Sequence, residues 1–162
     1  MFFGGVLMAL ISTFNHAKAE DSAPPTQYPL SEVAISIRQQ AARGIAGYEI
    51  GISGDGNSFY QQNSAANPPR IERRFSNPVL IGLLNDFYRI HFFELADSYQ
   101  LTKQVVLRDD GMVATAASKR VDAAGKVLCV QLADYRKCVT LFNDQPPQVA
   151  QLIAKIEGLF TP

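Results

Sequence analysis

The sequence is short of the residue types on which most soluble catalysts rely. It holds two histidines and two cysteines in 162 residues. His16 falls in an N-terminal apolar segment, which leaves His91 as the imidazole for any Ser-His-Asp or Cys-His relay. His91 stands between Ile90 and Phe92-Phe93 at the end of a helical stretch, so it is expected to be a partly buried structural residue. One histidine and two mutually bonded cysteines leave too few good ligands for zinc. No G-x-x-x-x-G-K-[ST], G-x-G-x-x-G or G-x-S-x-G segment occurs, so phosphate-loop, dinucleotide and hydrolase-elbow readings lack support. The reading therefore includes no metal and no cofactor. Charge of one sign is also lacking: Lys plus Arg and Asp plus Glu number 15 each. That balance points to neither nucleic acid nor an anionic membrane surface.

Long hydrophobic runs are confined to the start. Residues 1–14 carry no charged side chain, and Ala17-Lys18-Ala19 follows with the small-x-small pattern that signal peptidase reads. The run is shorter than the roughly 20 residues of a membrane-spanning helix. Residues 1–19 are thus expected to be a signal peptide. Residues 20–29, polar and Pro-rich, are expected to be a flexible leader, and residues 30–162 a single globular domain. The implied location is the periplasm of a bacterium or its exterior.

Within that domain, Val33, Ile35 and Ile37 alternate with smaller or polar residues, as do Tyr48, Ile50 and Ile52. Period-two alternation predicts strands with one buried face. Ser53-Gly54-Asp55-Gly56-Asn57 predicts a hairpin turn before Phe59-Tyr60; the loop lacks the further carboxylates that calcium needs. A short strand follows from Arg70 to Phe75. Asn77-Pro78 is expected to open a helix, with Asn77 as cap, and Leu80, Leu83, Leu84 and Phe87 form its stripe. Strands are then expected around residues 104–107, 112–120, 126–132 and 135–142, with turns at Asp110-Gly111 and Ala124-Gly125. A final helix opens at Pro146-Pro147 and buries Val149, Leu152, Ile153 and Ile156. The predicted class is α+β: a hairpin-rich antiparallel sheet with both helices packed on one face, in the order strands, helix, strands, helix.

The two cysteines are expected to form a structural disulfide. If Ala133-Asp134 is a two-residue loop, Leu132 faces Tyr135, Gln131 faces Arg136, and Cys129 faces Cys138 at a non-hydrogen-bonded pair. There the Cα atoms approach to about 4.5 Å, and an oxidising compartment closes the bond.

Other chemistry rests on charged groups. Glu94 and Asp97 are close in sequence, and Asp109-Asp110 are adjacent, so a carboxylate-based hydrolase stays open as an alternative. Arg70, Arg73 and Arg74 cluster beside Phe75. They form a candidate patch for an anion or a partner's acidic surface, or a set of charges that protects a sheet edge.

Ile35-x-Ile37-Arg38, Tyr48, Ile52, Ser53-Gly54-Asp55-Gly56 and Phe59-Tyr60 resemble the start of a bacterial family of exported domains of unknown function. That family opens with I-x-R, C-F-G-x-C-P-x-Y and a G-D-G hairpin. Phe92-Phe93-Glu94-Leu95 with Asp97-Ser98-Tyr99, Cys138-Val139-Thr140 and residues 147–156 resemble its later segments. Ala41, Ile45 and Ala46 stand where the family has its two early cysteines and its proline. The resemblance implies no catalytic residues. The functional expectation is a non-catalytic, protein-binding domain of the cell envelope, of inhibitor or immunity type, with another envelope or secreted protein as partner. Besides the hydrolase, a structural or assembly accessory protein is the alternative; the oligomeric state is left open.

Overall fold

The computed structural model describes residues 23–42, 44–63, 70–119 and 125–161. The expected signal peptide, residues 20–22 of the expected leader, residues 64–69 and Ala124 lie outside the described residues.

Among those residues the chain forms eight strands and two α-helices. Strands β1 (Val33–Gln39), β2 (Tyr48–Ser53), β3 (Asn57–Gln62) and β4 (Arg70–Arg74) precede helix α1 (Asn77–Arg89). Strands β5 (Leu101–Leu107), β6 (Val113–Lys119), β7 (Lys126–Leu132) and β8 (Tyr135–Leu141) precede helix α2 (Pro147–Gly158). Six strands make one sheet in the order β4-β3-β2-β1-β7-β8, antiparallel throughout. The expected α+β class and element order both hold.

Register explains the one-sided core. Ile35 lies between Ile52 and Val130, and Ile37 between Ile50 and Leu128. All six side chains are buried with the α1 residues Leu80, Leu83, Leu84 and Phe87 and the α2 residues Val149, Leu152, Ile153 and Ile156. Both predicted helical stripes therefore land on the same sheet face, where each buried aliphatic residue contributes about 1.5–3 kcal/mol. At the sheet margin, Tyr48 stacks on Tyr60, and Phe160 meets both Tyr60 and Phe75.

One buried charge stitches the helices together. Asp86 of α1 is 3% exposed; it accepts from Arg89 on its own helix and from Lys155 Nζ of α2 at 2.5 Å. A carboxylate out of water needs such partners.

Three expectations need correction. The cap of α1 is Ser76, in extended conformation, with Asn77 already the first helical residue; the amides of Val79 and Leu80 are satisfied by the Ser76 carbonyl rather than by an Asn77 side chain. His91 is not partly buried: it takes φ 54° just past α1, which swings its side chain out to 73% exposure beside the equally open Glu94. From the expected leader, Tyr28 packs against the core. Finally, β5 and β6 do not join the large sheet but pair only with each other. The outer edge of β8 is occupied instead: Thr140 donates to the Asp97 carbonyl and accepts from the Tyr99 amide, at 2.9 and 3.1 Å.

The β2–β3 turn needs its glycines for two different reasons. Gly56 has φ +92°, a region open to glycine. Gly54 is approached by the Leu30 carbonyl, whose oxygen would lie 1.6 Å from an added Cβ. Gly54→Ala is expected to lower stability by about 3 kcal/mol, read from the urea midpoint. Gly111→Ala, at a positive φ but with open space around it, should cost only about 1 kcal/mol.

Candidate functional site

The sheet has a face without helices. Alternation sends Ala34 and Ser36 of β1, Gly51 and Ser53 of β2, and Phe59 of β3 to that side, away from the core. Small side chains there leave a shallow cavity of about 540 Å³. The Phe59 ring folds over Gly51 so closely that a Cβ at that position would lie 2.4 Å from Phe59 Cε1. The Arg70 guanidinium covers the Phe59 ring at 3.9 Å, a cation–π contact. Arg70 also donates to Glu72 at 3.0 Å, and Arg38 to Glu49 at 3.0 Å. The two acids lining the cavity, Glu49 and Glu72, are therefore each matched by an arginine.

The three candidate arginines do not converge. Arg70 lies over Phe59 on the open face. Arg73 reaches toward the helix side, with Nη2 at 3.5 Å from the Phe160 carbonyl. Arg74 lies near the Asp55 turn. The Asp55 carboxyl is held below its usual range, first by the Asn57 amide at 3.0 Å and then by the Ser53 hydroxyl at 2.7 Å, with Arg74 adding to it. All three arginines sit on β4, at the sheet edge.

The disulfide lies on the same helix-free face. Register places Cys129 opposite both Ser36 and Cys138, with Leu132 facing Tyr135 and Gln131 facing Arg136, as the two-residue loop requires. The cysteines are bonded, with Cα atoms 4.1 Å apart. Ala133 takes φ 54° to make the turn, while its amide donates to the Glu32 carbonyl and its own carbonyl accepts from the Gln131 side chain.

Three of the four candidate acids have partners elsewhere. Glu94 faces His91 at 3.2 Å, Asp97 accepts from Lys137 at 2.6 Å, and Asp110 pairs with Arg108 at 3.4 Å in the β5–β6 turn. Among the described residues no three His, Cys, Asp or Glu side chains gather as a metal site. The sequence reading passed over one polar cluster. The Tyr48 hydroxyl donates to Glu157 of α2, which also lies 3.4 Å from Lys126. Burial raises the Tyr48 pKa, and the bond to Glu157 raises it further. Tyr28 is pushed up to about 12, first by burial and then by its hydrogen bond with Tyr88. The signal for Tyr48 was its inward place in the β2 alternation, but nothing local in sequence names Glu157.

Among the described residues the most exposed large apolar side chains belong to β5–β6 and its turn. Leu107 pairs with Val113, and Val105 with Thr115, so Val105, Leu107 and Val113 line one face. They are 72, 75 and 68% exposed, and Met112 at the turn is 63% exposed. Arg108 and Met112 close the turn, with Gly111 at φ +80°. Among the described residues no helix is long and apolar enough to cross a membrane. No protein-family model matches this chain, and no curated protein matches it.

Two outcomes are expected here. Replacing Cys129 and Cys138 together by Ser should cost about 2–3 kcal/mol in urea titrations, most of it through the unfolded chain. Both tyrosines have pKa values raised on folding, so the stability they contribute is complete below the unfolded value near 10. It is lost as pH rises through the folded values, from about 10 toward 12 for Tyr28 and beyond for Tyr48. Thermal melts from pH 9 to 12 should show this decline, shallower in Tyr28→Phe.

Proposed function

We propose that this chain is a non-catalytic, protein-binding domain that works outside the cytoplasm, as an inhibitor or immunity-type factor against another envelope or secreted protein. The β5–β6 hairpin is its contact element. The observation that carries this reading is the set of four large apolar side chains, 63–75% exposed, on a hairpin whose strands pair only with each other. A monomer in water gains nothing from such a patch, and contiguous exposed apolar surface marks interaction sites. The cross-strand disulfide fits an oxidising compartment. The resemblance to the family of exported domains supports export, with this chain a divergent member that has lost the early cysteine pair. The carboxylate-hydrolase reading is weaker, because Glu94, Asp97 and Asp110 are each engaged with a cation or His91 rather than with one another.

The test uses the immobilised chain and its Leu107→Lys/Val113→Lys variant against envelope and secreted fractions of the host. One protein retained in stoichiometric amount by the first and lost by the second, then titrated by calorimetry with the same difference, is the expected result. Retention or cleavage of cell-wall fragments, with no protein bound, would overturn the reading in favour of a hydrolase.

A further inference from the structure

The two edges of the large sheet differ. Along β8, Thr140 shares backbone hydrogen bonds with Asp97 and Tyr99. Along β4, no described residue pairs on the outer side. The Phe75 amide donates to the Gly56 carbonyl at 2.9 Å, in line with the β3–β4 register. Hydrogen-bonded pairs alternate along an antiparallel ladder, so Ile71 and Arg73 turn their N–H and C=O groups toward β3. Those of Arg70, Glu72 and Arg74 point outward. All of β4 is exposed, and it carries neither a proline nor a bulge to blunt the edge. We infer that this edge takes an extended acidic segment of a partner protein as an added strand.

Charge decides the occupant. Side chains directly opposite on neighbouring strands share a face, and like charges there repel. Two copies of β4 paired antiparallel about Glu72 would set Arg70 against Arg74 twice and Glu72 against Glu72, so full overlap with a second copy is opposed. Arg70 is matched by Glu72 at 3.0 Å. Arg73 reaches only the Phe160 carbonyl. Arg74 acts on Asp55 from a distance, and Ser53 and Asn57 already hold that carboxylate. Neither Arg73 nor Arg74 forms an ion pair with a described residue. Three arginines against Glu72 and Asp55 leave an excess of positive charge at the Arg73-Arg74 end.

The outward N–H and C=O groups match the spacing of another peptide strand, which a nucleic acid or glycan polyanion lacks. Partner residues opposite Arg73 and Arg74 are then acidic. The one opposite Ile71, itself 39% exposed, is apolar. This surface is separate from the β5–β6 hairpin.

The test titrates the purified full chain by calorimetry with the acetylated and amidated peptide Thr-Glu-Glu-Thr-Val-Thr-Thr, up to about 1 mM because so short a strand binds weakly. Antiparallel pairing sets its second to sixth residues opposite Arg74 through Arg70, and saturable binding is expected. Methylating the peptide nitrogens opposite Arg74, Glu72 and Arg70 should abolish binding. Methylating those opposite Arg73 and Ile71, which point away from β4, should leave it within about twofold. Arg74→Glu should weaken binding about fivefold, and Glu72→Gln should tighten it about twofold. Glu72→Pro removes an outward N–H without touching the β3 ladder; with circular dichroism unchanged, it should abolish binding although it also removes a negative charge. No binding up to about 1 mM, or binding that is indifferent to which nitrogens are methylated, overturns the inference. Either result leaves the hairpin reading to its own test, retention through Leu107 and Val113.

Discussion

Everything in this fold depends on burial being confined to one side of the sheet. Ile35, Ile37, Ile50, Ile52, Leu128 and Val130 all point to the face that α1 and α2 cover. The opposite face has no helix to shelter apolar groups, so its central positions are small or polar, with Ala34, Ser36, Gly51 and Ser53 in the middle. Antiparallel sheets tolerate this division because one face can remain wetted. The cavity under Phe59 is thus a by-product of the same constraint. The Cys129–Cys138 bond uses that face as well, joining two strands where no helix competes for space.

The distribution of charge follows from the same division. Asp86 is buried between the helices and meets two cations there, whereas Arg38, Glu49, Arg70 and Glu72 on the open face are matched in solvent, where each pair contributes little. Of the acids that could have formed a hydrolytic pair, Asp97, Asp110 and Glu94 are instead set against Lys137, Arg108 and His91. The most exposed of the large apolar side chains among the described residues are instead concentrated on β5–β6.

Much of this was legible from local pattern. Alternation at Val33-Ile35-Ile37 and Tyr48-Ile50-Ile52, the stripes of both helices and the register that joins Cys129 to Cys138 each depend on neighbours a few residues apart. The misreadings have physical causes of the same kind. Val105, Leu107 and Val113 look like core strands, yet their hairpin pairs only with itself, and the chain at residues 97–99 meets the outer edge of β8 at Thr140. His91 sits among apolar residues in sequence, yet its left-handed backbone turns it outward. The Asp86–Lys155 and Tyr48–Glu157 contacts join residues far apart along the chain, and no spacing rule points to either.

The pairing of β1 with β7 sets an order of events as well as a shape. Translation delivers β1, the most central strand of the N-terminal half, long before β7 exists. Until then one rim of β1, with Ile35 and Ile37 beside it, has no ladder to complete. A ribosome-bound chain therefore carries an open apolar edge that only its last third can close. Non-local closure of this sort is slow and leaves the nascent chain prone to wrong pairing. A chain with this topology gains from staying unfolded, in the keeping of a chaperone, until synthesis is complete.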